Sequence, residues 1–271
     1  MYLIFDIGGT KTRIAISRNG KKFEKPVIFA TPQKFTDGMA AFEKVFIKFG
    51  RPKLAAAAGG VPGSLDASKS KIFNAPHLPD WKNRPLNEVL KKILHCPVYL
   101  ENDTAMVGLG EANAGAGKGK AIVVYITVST GVNGVRIVDG RIDRNAMGFE
   151  IGHQIIDGAS KSPKTLENYI SGSGLEKKYG KLPSKIPGKF LKNLPHWLAY
   201  GLHNTILYWS PDVLVLGGTL IRLNVIDAQK SIRLLKNIKA VFPKQPLIKK
   251  AALGDLGGLY GALIYLRQNK H

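Results

Sequence analysis

Cysteine is almost absent from the 271-residue chain: Cys96 is the only one. A single thiol excludes an intrachain disulfide framework and a cysteine-rich structural zinc site, so Cys96 is expected to fill core space. Long hydrophobic runs are also missing. None reaches the roughly 20 residues of a membrane-spanning helix, and Asp6 interrupts the first apolar stretch before it could act as a secretion signal. The expectation is a cytoplasmic protein with no membrane partner. Acidic residues are scarce as well: 19 Asp and Glu stand against 40 Lys and Arg, for a formal charge of +21. A basic surface attracts polyanions in general. Here the charge is mostly lysine spread along the chain, denser in "KSPKTLENYISGSGLEKKYGKLPSKIPGKFLKN". No helix-turn-helix, zinc-finger or RNA-binding signature accompanies it, so a solvated lysine surface is expected and no specific nucleic-acid partner.

What remains is ordinary globular composition, 44% hydrophobic and 22% charged, enough for one large domain or two lobes. The chain opens "MYLIFDIGGTKTRIAISRNG". Leu3, Ile4 and Phe5 read as a buried strand, and Arg13-Ile14-Ala15-Ile16 as the alternating return strand of a hairpin. The turn carries the polar groups. Gly8 and Gly9 would permit positive φ and close approach of backbone N–H groups to an anion, with hydroxyls from Thr10 and Thr12 and a cation from Lys11. Asp6 beside a phosphate would be repelled without an intervening cation, which points to Mg²⁺. A glycine-rich turn with a solvated Asp6 is the plainer alternative.

Further on, "TDGMAAFEKVFIKFG" has helical spacing, with Phe42, Val45, Phe46 and Phe49 on one side and Thr36 or Asp37 as N-cap. "KLAAAAGGVPG" reads as a buried strand of small residues, "PLNEVLKKILH" as a helix and "PVYLEN" as a strand, an alternation typical of α/β folds. "GEANAGAGKGK", small and glycine-rich, is expected to be a hinge between lobes. Then "AIVVYITVSTGVNGVRIVDGRI" repeats the opening: an apolar strand, a turn with Thr127, Ser129, Thr130, Gly131 and Gly134, and a return strand. Two such units suggest internal duplication, with chance recurrence of hairpins as the rival. A third glycine turn, Gly217-Gly218-Thr219, follows "PDVLVL", and "DLGGLYGALIYLRQ" reads as a closing helix.

Several acids stand at strand ends. In "YLENDTAMVGLGE", Glu101, Asn102 and Asp103 follow a strand, where an acid can serve as general base and the amide can orient a hydroxyl. Alternatively Asn102 or Asp103 simply caps the next helix. "GFEIGHQ" offers Glu150 and His153 three apart, and "TLENYISGSG" adds Glu167. A structural histidine and a surface glutamate are the competing readings there.

In order and spacing, "DIGGTKT", "GVPG", "PHLPDW", "LENDT", "TVSTGVNGV", "GFEIGH", "LENYISG" and "LVLGG" resemble the ROK family (repressors, open reading frames, kinases), and within it the bacterial glucokinases. The resemblance covers nearly the whole chain. It implies the two-lobed α/β fold of actin, hexokinase and Hsp70, ribonuclease H-like in each lobe, with sugar and nucleotide meeting in the interlobe cleft. Residues 1–113 would form the N-terminal lobe, with the C-terminal helix 255–271 packing back on it, and 114–254 the C-terminal lobe. It further implies that Asp103 is the catalytic base toward the primary hydroxyl of a hexose. Gly60, His77, Asn102, Glu150, His153 and Glu167 would hold the sugar, although many relatives have asparagine at the position of His77. Asp6, Gly8, Gly9, Thr10 and Lys11 resemble the first phosphate turn, and Thr130, Gly131 and Gly134 the second. Gly217 and Gly218 match the turn beside the adenosine. ATP would be the co-substrate, Mg²⁺ would be bound indirectly through Asp6, and a homodimer would form, as relatives commonly do.

Departures from the family pattern carry expectations too. The interval "GHQIIDGASKSPKTLE" lacks the cysteine-rich zinc loop, so no zinc is expected and His153 must be oriented by hydrogen bonds. The second turn has Ser129, Asn133 and Val135 where glycines are typical, and the latter two side chains would restrict the approach of donor phosphates. The chain starts at its first strand, without the DNA-binding arm of the repressors. An ordinary Asp103, ionised near pH 3.9, would need no pKa shift to act as base at neutral pH. The alternatives are a kinase of mannose, fructose or an N-acetylated hexosamine, a glucokinase using polyphosphate, which the charge of +21 would concentrate, and a non-catalytic sugar sensor.

Overall fold

A computed structural model describes residues 1–75, 77–159, 161–238 and 241–269. The chain forms two compact units. The first comprises Met1–Gly115, Arg144–Gly148 and the residues from Leu253 onward; the second comprises Ala116–Asp143 and Phe149–Ala252.

The first unit is built on strands β1 (Tyr2–Ile7), β2 (Lys11–Ser17), β3 (Val27–Ala30), β4 (Ala56–Val61) and β7 (Val98–Asn102), in the order β3-β2-β1-β4-β7. A small hairpin, β5 (Ser64–Leu65) and β6 (Ile72–Asn74), leaves the end of β4. Helix α1 (Phe35–Lys48) precedes β4, α2 (Leu86–Leu94) precedes β7, and α3 (Asp103–Ala114) follows it directly. β1 pairs antiparallel with β2 and parallel with β4, and β4 pairs parallel with β7.

Strand alternation divides the core between the two faces. Leu3, Phe5 and Ile7 pack with Phe42, Val45 and Phe46 of α1 and with Leu86, Leu90 and Leu94 of α2. Ile4, with Ala56 and Ala58 of β4, faces Met106 of α3. Glycine at position 59 makes room for Phe5, its cross-strand partner: any side chain there would collide with the ring. Truncating such a buried aromatic costs about 3–5 kcal/mol.

Three local expectations change. β2 does not alternate, because Ile14, Ala15 and Ile16 are all buried in a strand flanked on both edges and covered on both faces. Neither Thr36 nor Asp37 caps α1. The helix starts at Phe35, and Asp80 caps it from a distance by accepting the Phe35 N–H at 2.8 Å. Gly8 and Gly9 do not adopt positive φ. Cys96 is buried beside α2, and burial pushes its thiol up to about 11.

The second unit repeats the plan. Strands β8 (Ile122–Val128), β9 (Val132–Val138), β10 (Arg141–Ile142), β13 (Val213–Gly217) and β14 (Leu247–Lys250) are ordered β10-β9-β8-β13-β14. β8 pairs antiparallel with β9 and parallel with β13, as β1 does with β2 and β4. A two-stranded ribbon, β11 (Ile155–Asp157) with β12 (Lys164–Thr165), leads into α4 (Leu166–Ile170) and α5 (Gly172–Tyr179). Then come α6 (Gly188–Leu191) and α7 (Leu194–Trp209), with α8 (Thr219–Arg222) and α9 (Ala228–Lys236) after β13. Val124, Ile126 and Val128 pack with Leu198, Leu202 and Ile206 of α7 and Leu235 of α9. The shared strand order is what an internally duplicated chain would show.

The chain returns to the first unit as α10 (Gly257–Asn269). The expected helix began at 255, but Gly254–Leu256 is a 3-10 turn, and residues 270 and 271 lie outside the described residues. Leu259, Ala262 and Leu263 of α10 join Ile4 and Met106, completing the second face of the sheet.

Candidate active site

The acidic end of the first sheet follows from register. Asp6 of β1 lies opposite Gly60 of β4, and Gly60 opposite Glu101 of β7, so all three stand at the C-terminal ends of parallel strands. That edge is where open α/β sheets place their ligands. Asp6 shares its face with Ile4 and therefore points toward α3 and α10. Gly60 and Gly258 let those helices close in. A side chain on Gly60 would come 3.0 Å from the Asp103 Cα, and one on Gly258 would come 2.7 Å from the Asp6 carboxyl carbon. Asp6 is thereby buried near the start of α10, and Asp103 is the first residue of α3.

Both carboxyls hold protons more tightly than usual. Burial, against the opposing effect of Arg13, raises Asp6 to about 6. Burial and then the Asp6 charge raise Asp103 to about 7. This corrects the expectation of an unshifted Asp103: a carboxylate crowded by protein and facing a second one is not an ordinary acid. Asp103 Oδ1 accepts the Thr104 N–H at 2.7 Å. Arg13 pairs with Asp6 across the hairpin, its Nη1 at 3.2 Å from Oδ2, while its Nη2 lies 3.9 Å from Asp255. Arg13 was not foreseen, although the hairpin register alone sets it opposite Asp6.

Asn102 takes the capping role considered for it. It is the N-cap of α3, its Oδ1 accepting the Ala105 N–H at 3.1 Å, and its Nδ2 donates to the Gly63 carbonyl at 2.9 Å. Glu101 turns back into the protein, receiving Lys69 Nζ and the Asn102 N–H. The first glycine turn closes through the Gly8 N–H donating to Lys11 O at 2.9 Å. His77 sits over it: a side chain on Gly9 would meet the His77 Cβ at 3.0 Å. Thr10 and Lys11 are exposed, but Thr12 is buried and bonded to Thr31 at 2.9 Å, so it cannot serve as an anion donor. Thr31, also unforeseen, braces the turn through the Gly8 carbonyl at 2.7 Å.

In the second unit, Glu150 precedes the 3-10 turn Ile151–His153 and His153 ends it, and both are exposed. Desolvation raises the Glu150 pKa, with the His153 charge lowering it and the Glu167 charge raising it, so these three groups lie within electrostatic reach of one another. Glu167 lies on α4 and accepts the Val132 N–H. Thr130 and Gly131 occupy the turn between β8 and β9. Gly134 lies inside β9, with Ile151 packed where a side chain would be. Val135 is also in β9 and 1% exposed, so it does not restrict a ligand at the turn. Gly217 ends β13, packed on Tyr125, and Gly218 has φ +91 with the Val128 backbone so close that a side chain would collide. Ser129 Oγ lies 3.3 Å from Thr219 Oγ1, which brings these two glycine turns together.

Among the described residues no group of three or more His, Cys, Asp or Glu could hold a metal, and no helix is long and apolar enough to cross a membrane.

The fold is the α/β fold shared by actin, hexokinase and Hsp70. Over nearly its full length the chain aligns with an N-acetyl-D-glucosamine kinase of Pectobacterium atrosepticum, 29% identical over 99% of this chain and 100% of that one. The ROK hexokinase from Thermus thermophilus superposes with a TM-score of 0.83 at 26% identity, covering 100% of this chain and 99% of that one. A ROK glucokinase from Streptomyces griseus, solved with glucose and AMPPNP, shares the fold at a TM-score of 0.80 and 24% identity, with 99% of each chain covered. The ROK family model matches residues 2–269, and the chain belongs to that family. It is a ROK sugar kinase.

Proposed function

We propose that this kinase transfers the γ-phosphoryl group of ATP to the primary hydroxyl of a glucose-configured hexose, with Asp103 as general base. The observation that supports this most is the placement of Asp103: a carboxyl held near neutrality, at a helix start, beside Asp6 and at the ligand-binding edge of the sheet. A base with a pKa close to the working pH accepts a proton as the nucleophilic oxygen attacks and releases it afterwards. In this reading Asn102, Gly60, His77, Glu150, His153 and Glu167 orient the sugar hydroxyls. The turns at Gly9–Lys11, Thr130–Gly131 and Gly217–Gly218 present backbone N–H groups to the nucleotide, the Gly8 N–H being engaged within the first turn, since phosphoryl transfer depends mainly on positioning and charge neutralisation.

Mg²⁺ fits the residues present. The Asp6 charge raises the proton affinity of Asp103, and a divalent cation near Asp6 would relieve that repulsion. With no all-protein cluster among the described residues, Asp6, water and donor phosphates would hold it, which is the usual manner of Mg²⁺. When bound it neutralises charge developing on the phosphates.

Glucose is the acceptor read from the sequence motifs. N-acetyl-D-glucosamine is the second reading, favoured by the names of full-length relatives at 26–29% identity. A coupled assay with ATP, Mg²⁺ and a panel of glucose, mannose, fructose and N-acetylhexosamines decides between them. Phosphorylation of one or both supports the proposal. No turnover with any of them, despite sugar binding, would favour a non-catalytic sensor. Polyphosphate as donor rests on the charge of +21 and on the missing cysteine-rich loop.

A further inference from the structure

One carboxylate of the second unit is divided between two tasks. Glu167 Oε2 accepts the Val132 N–H at 2.8 Å, and a side chain on Gly131 would come within 2.9 Å of the same oxygen. The other oxygen, Oε1, has no hydrogen bond among the described residues. The residues that follow continue the grip on the same turn. The Gly172 N–H donates to Ser129 O at 2.7 Å, the Ser173 N–H to Thr130 O at 2.9 Å, and Ser173 Oγ to the same carbonyl at 2.8 Å. Residues 167–173 therefore hold the turn 129–132 along its length.

The neighbouring segment seats on the same strand start. Gly152 abuts the Val132 carbonyl so closely that any side chain would collide, and Ile151 covers Gly134. The two segments that carry Glu150, His153 and Glu167 are thus packed onto the backbone that forms the second glycine turn.

We propose that Glu167 is a positioning residue that couples the two substrates: Oε1 takes a sugar hydroxyl while Oε2 holds the Val132 amide and, through it, the turn that receives donor phosphates. This rests on the kinase reading above. Without sugar, the carboxylate is free to turn about its last torsion and exchange the amide for water. A hydroxyl on Oε1 removes that freedom, so the second ligand meets a turn already ordered. Coupling of this kind is reciprocal: sugar strengthens nucleotide binding by the factor by which nucleotide strengthens sugar binding.

The test is calorimetric titration of the whole protein with the non-hydrolysable analogue AMPPNP and Mg²⁺, with and without saturating glucose or N-acetyl-D-glucosamine. In the wild type, sugar is expected to tighten analogue binding by a factor of about 5–150. In Glu167→Ala, which leaves the Val132 amide without its partner, the analogue should bind more weakly even with no sugar present, and the coupling factor should fall to about 1. Glu167→Gln keeps an oxygen for that amide, so its sugar-free analogue affinity should stay near wild type while sugar binding weakens. Glu150→Gln, which loses a sugar contact only, should leave sugar-free analogue affinity unchanged. The proposal is overturned if Glu167→Ala weakens sugar binding alone, with sugar-free analogue affinity and coupling intact. If the alanine variant fails to melt cooperatively, Glu167→Asp, too short to reach Val132, takes its place with the same two outcomes. Absence of sugar binding by the wild type would defeat the kinase reading, whereas the sugar-free affinities judge Glu167 independently.

Discussion

The turn after β1 and the turn after β8 occupy the same place in two sheets of the same strand order, yet they are supported by different means. The first lies beside ionisable groups. Asp6 and Asp103 stand at the strand ends with proton affinities raised by burial, and the turn is braced by hydroxyls, Thr31 to Gly8 and Thr12 to Thr31. The second is braced by backbone amides, one carboxylate and the Ser173 hydroxyl, all from residues 167–173. One topology thus supplies a reactive edge in one unit and a shaped backbone edge in the other. Substitutions should fail accordingly, by lost chemistry in the first unit and by lost geometry in the second.

The largest effect is expected in the first unit. Asp103→Asn should lower kcat by about 10²–10⁴-fold while sugar affinity stays within a modest factor, as steady-state kinetics and titration would show. Because a carboxyl whose pKa rises on folding binds protons in the native state that the unfolded chain has released, stability should fall as pH rises from about 4 to 7. Asn at 103 should flatten that dependence in urea titrations at several pH values. Wild-type turnover in Asp103→Asn would remove the distinction between the two units.

In the second unit the corresponding break is geometric. Gly218→Ala combines a positive φ with a collision against the Val128 backbone, and should cost about 2–4 kcal/mol in denaturant melts. Gly60→Ala, with 3.0 Å to the Asp103 Cα and an ordinary φ, should cost less stability but a larger share of kcat. Equal effects on both readouts would erase the contrast.

Smaller effects concern charge and metal. With ATP, kcat/KM should fall only modestly as salt rises, because the Debye length shrinks to about 8 Å at physiological ionic strength and long-range steering of a small anion is weak. A steep dependence with polyphosphate at low salt would make the basic surface part of donor recognition. A zinc-selective chelator should leave turnover unchanged once Mg²⁺ is replenished, and elemental analysis of the purified protein should show no stoichiometric zinc.

How much of this was legible in the sequence differs between strands and side chains. Continuous apolar runs such as Leu3–Phe5 announce themselves, and the eight ordered motifs led directly to the family and its fold. Strand-end acids were legible because Asp103 interrupts a buried pattern at a helix start. Side-chain wiring was not. Arg13 looks like a surface position until the hairpin register places it opposite Asp6, and the Thr12–Thr31 bond joins residues 19 apart. Asp80 caps α1 from 45 residues away, which no local capping pattern reveals. Gly258 looked like part of a closing helix, and its contact with Asp6 emerges only when α10 packs on β1. The Asp103 shift arises from the same tertiary crowding.

The most direct test of the central claim is the pH profile of kcat/KM for the sugar, which reports ionisations of the free enzyme. Asp103 must be ionised to accept the hydroxyl proton, so activity should rise with pH through an acid limb near 7, and the residual turnover of Asp103→Asn should lack that limb. A wild-type profile that stays flat from pH 8 down to 5, falling only near the usual carboxyl value of 3.8, would contradict it.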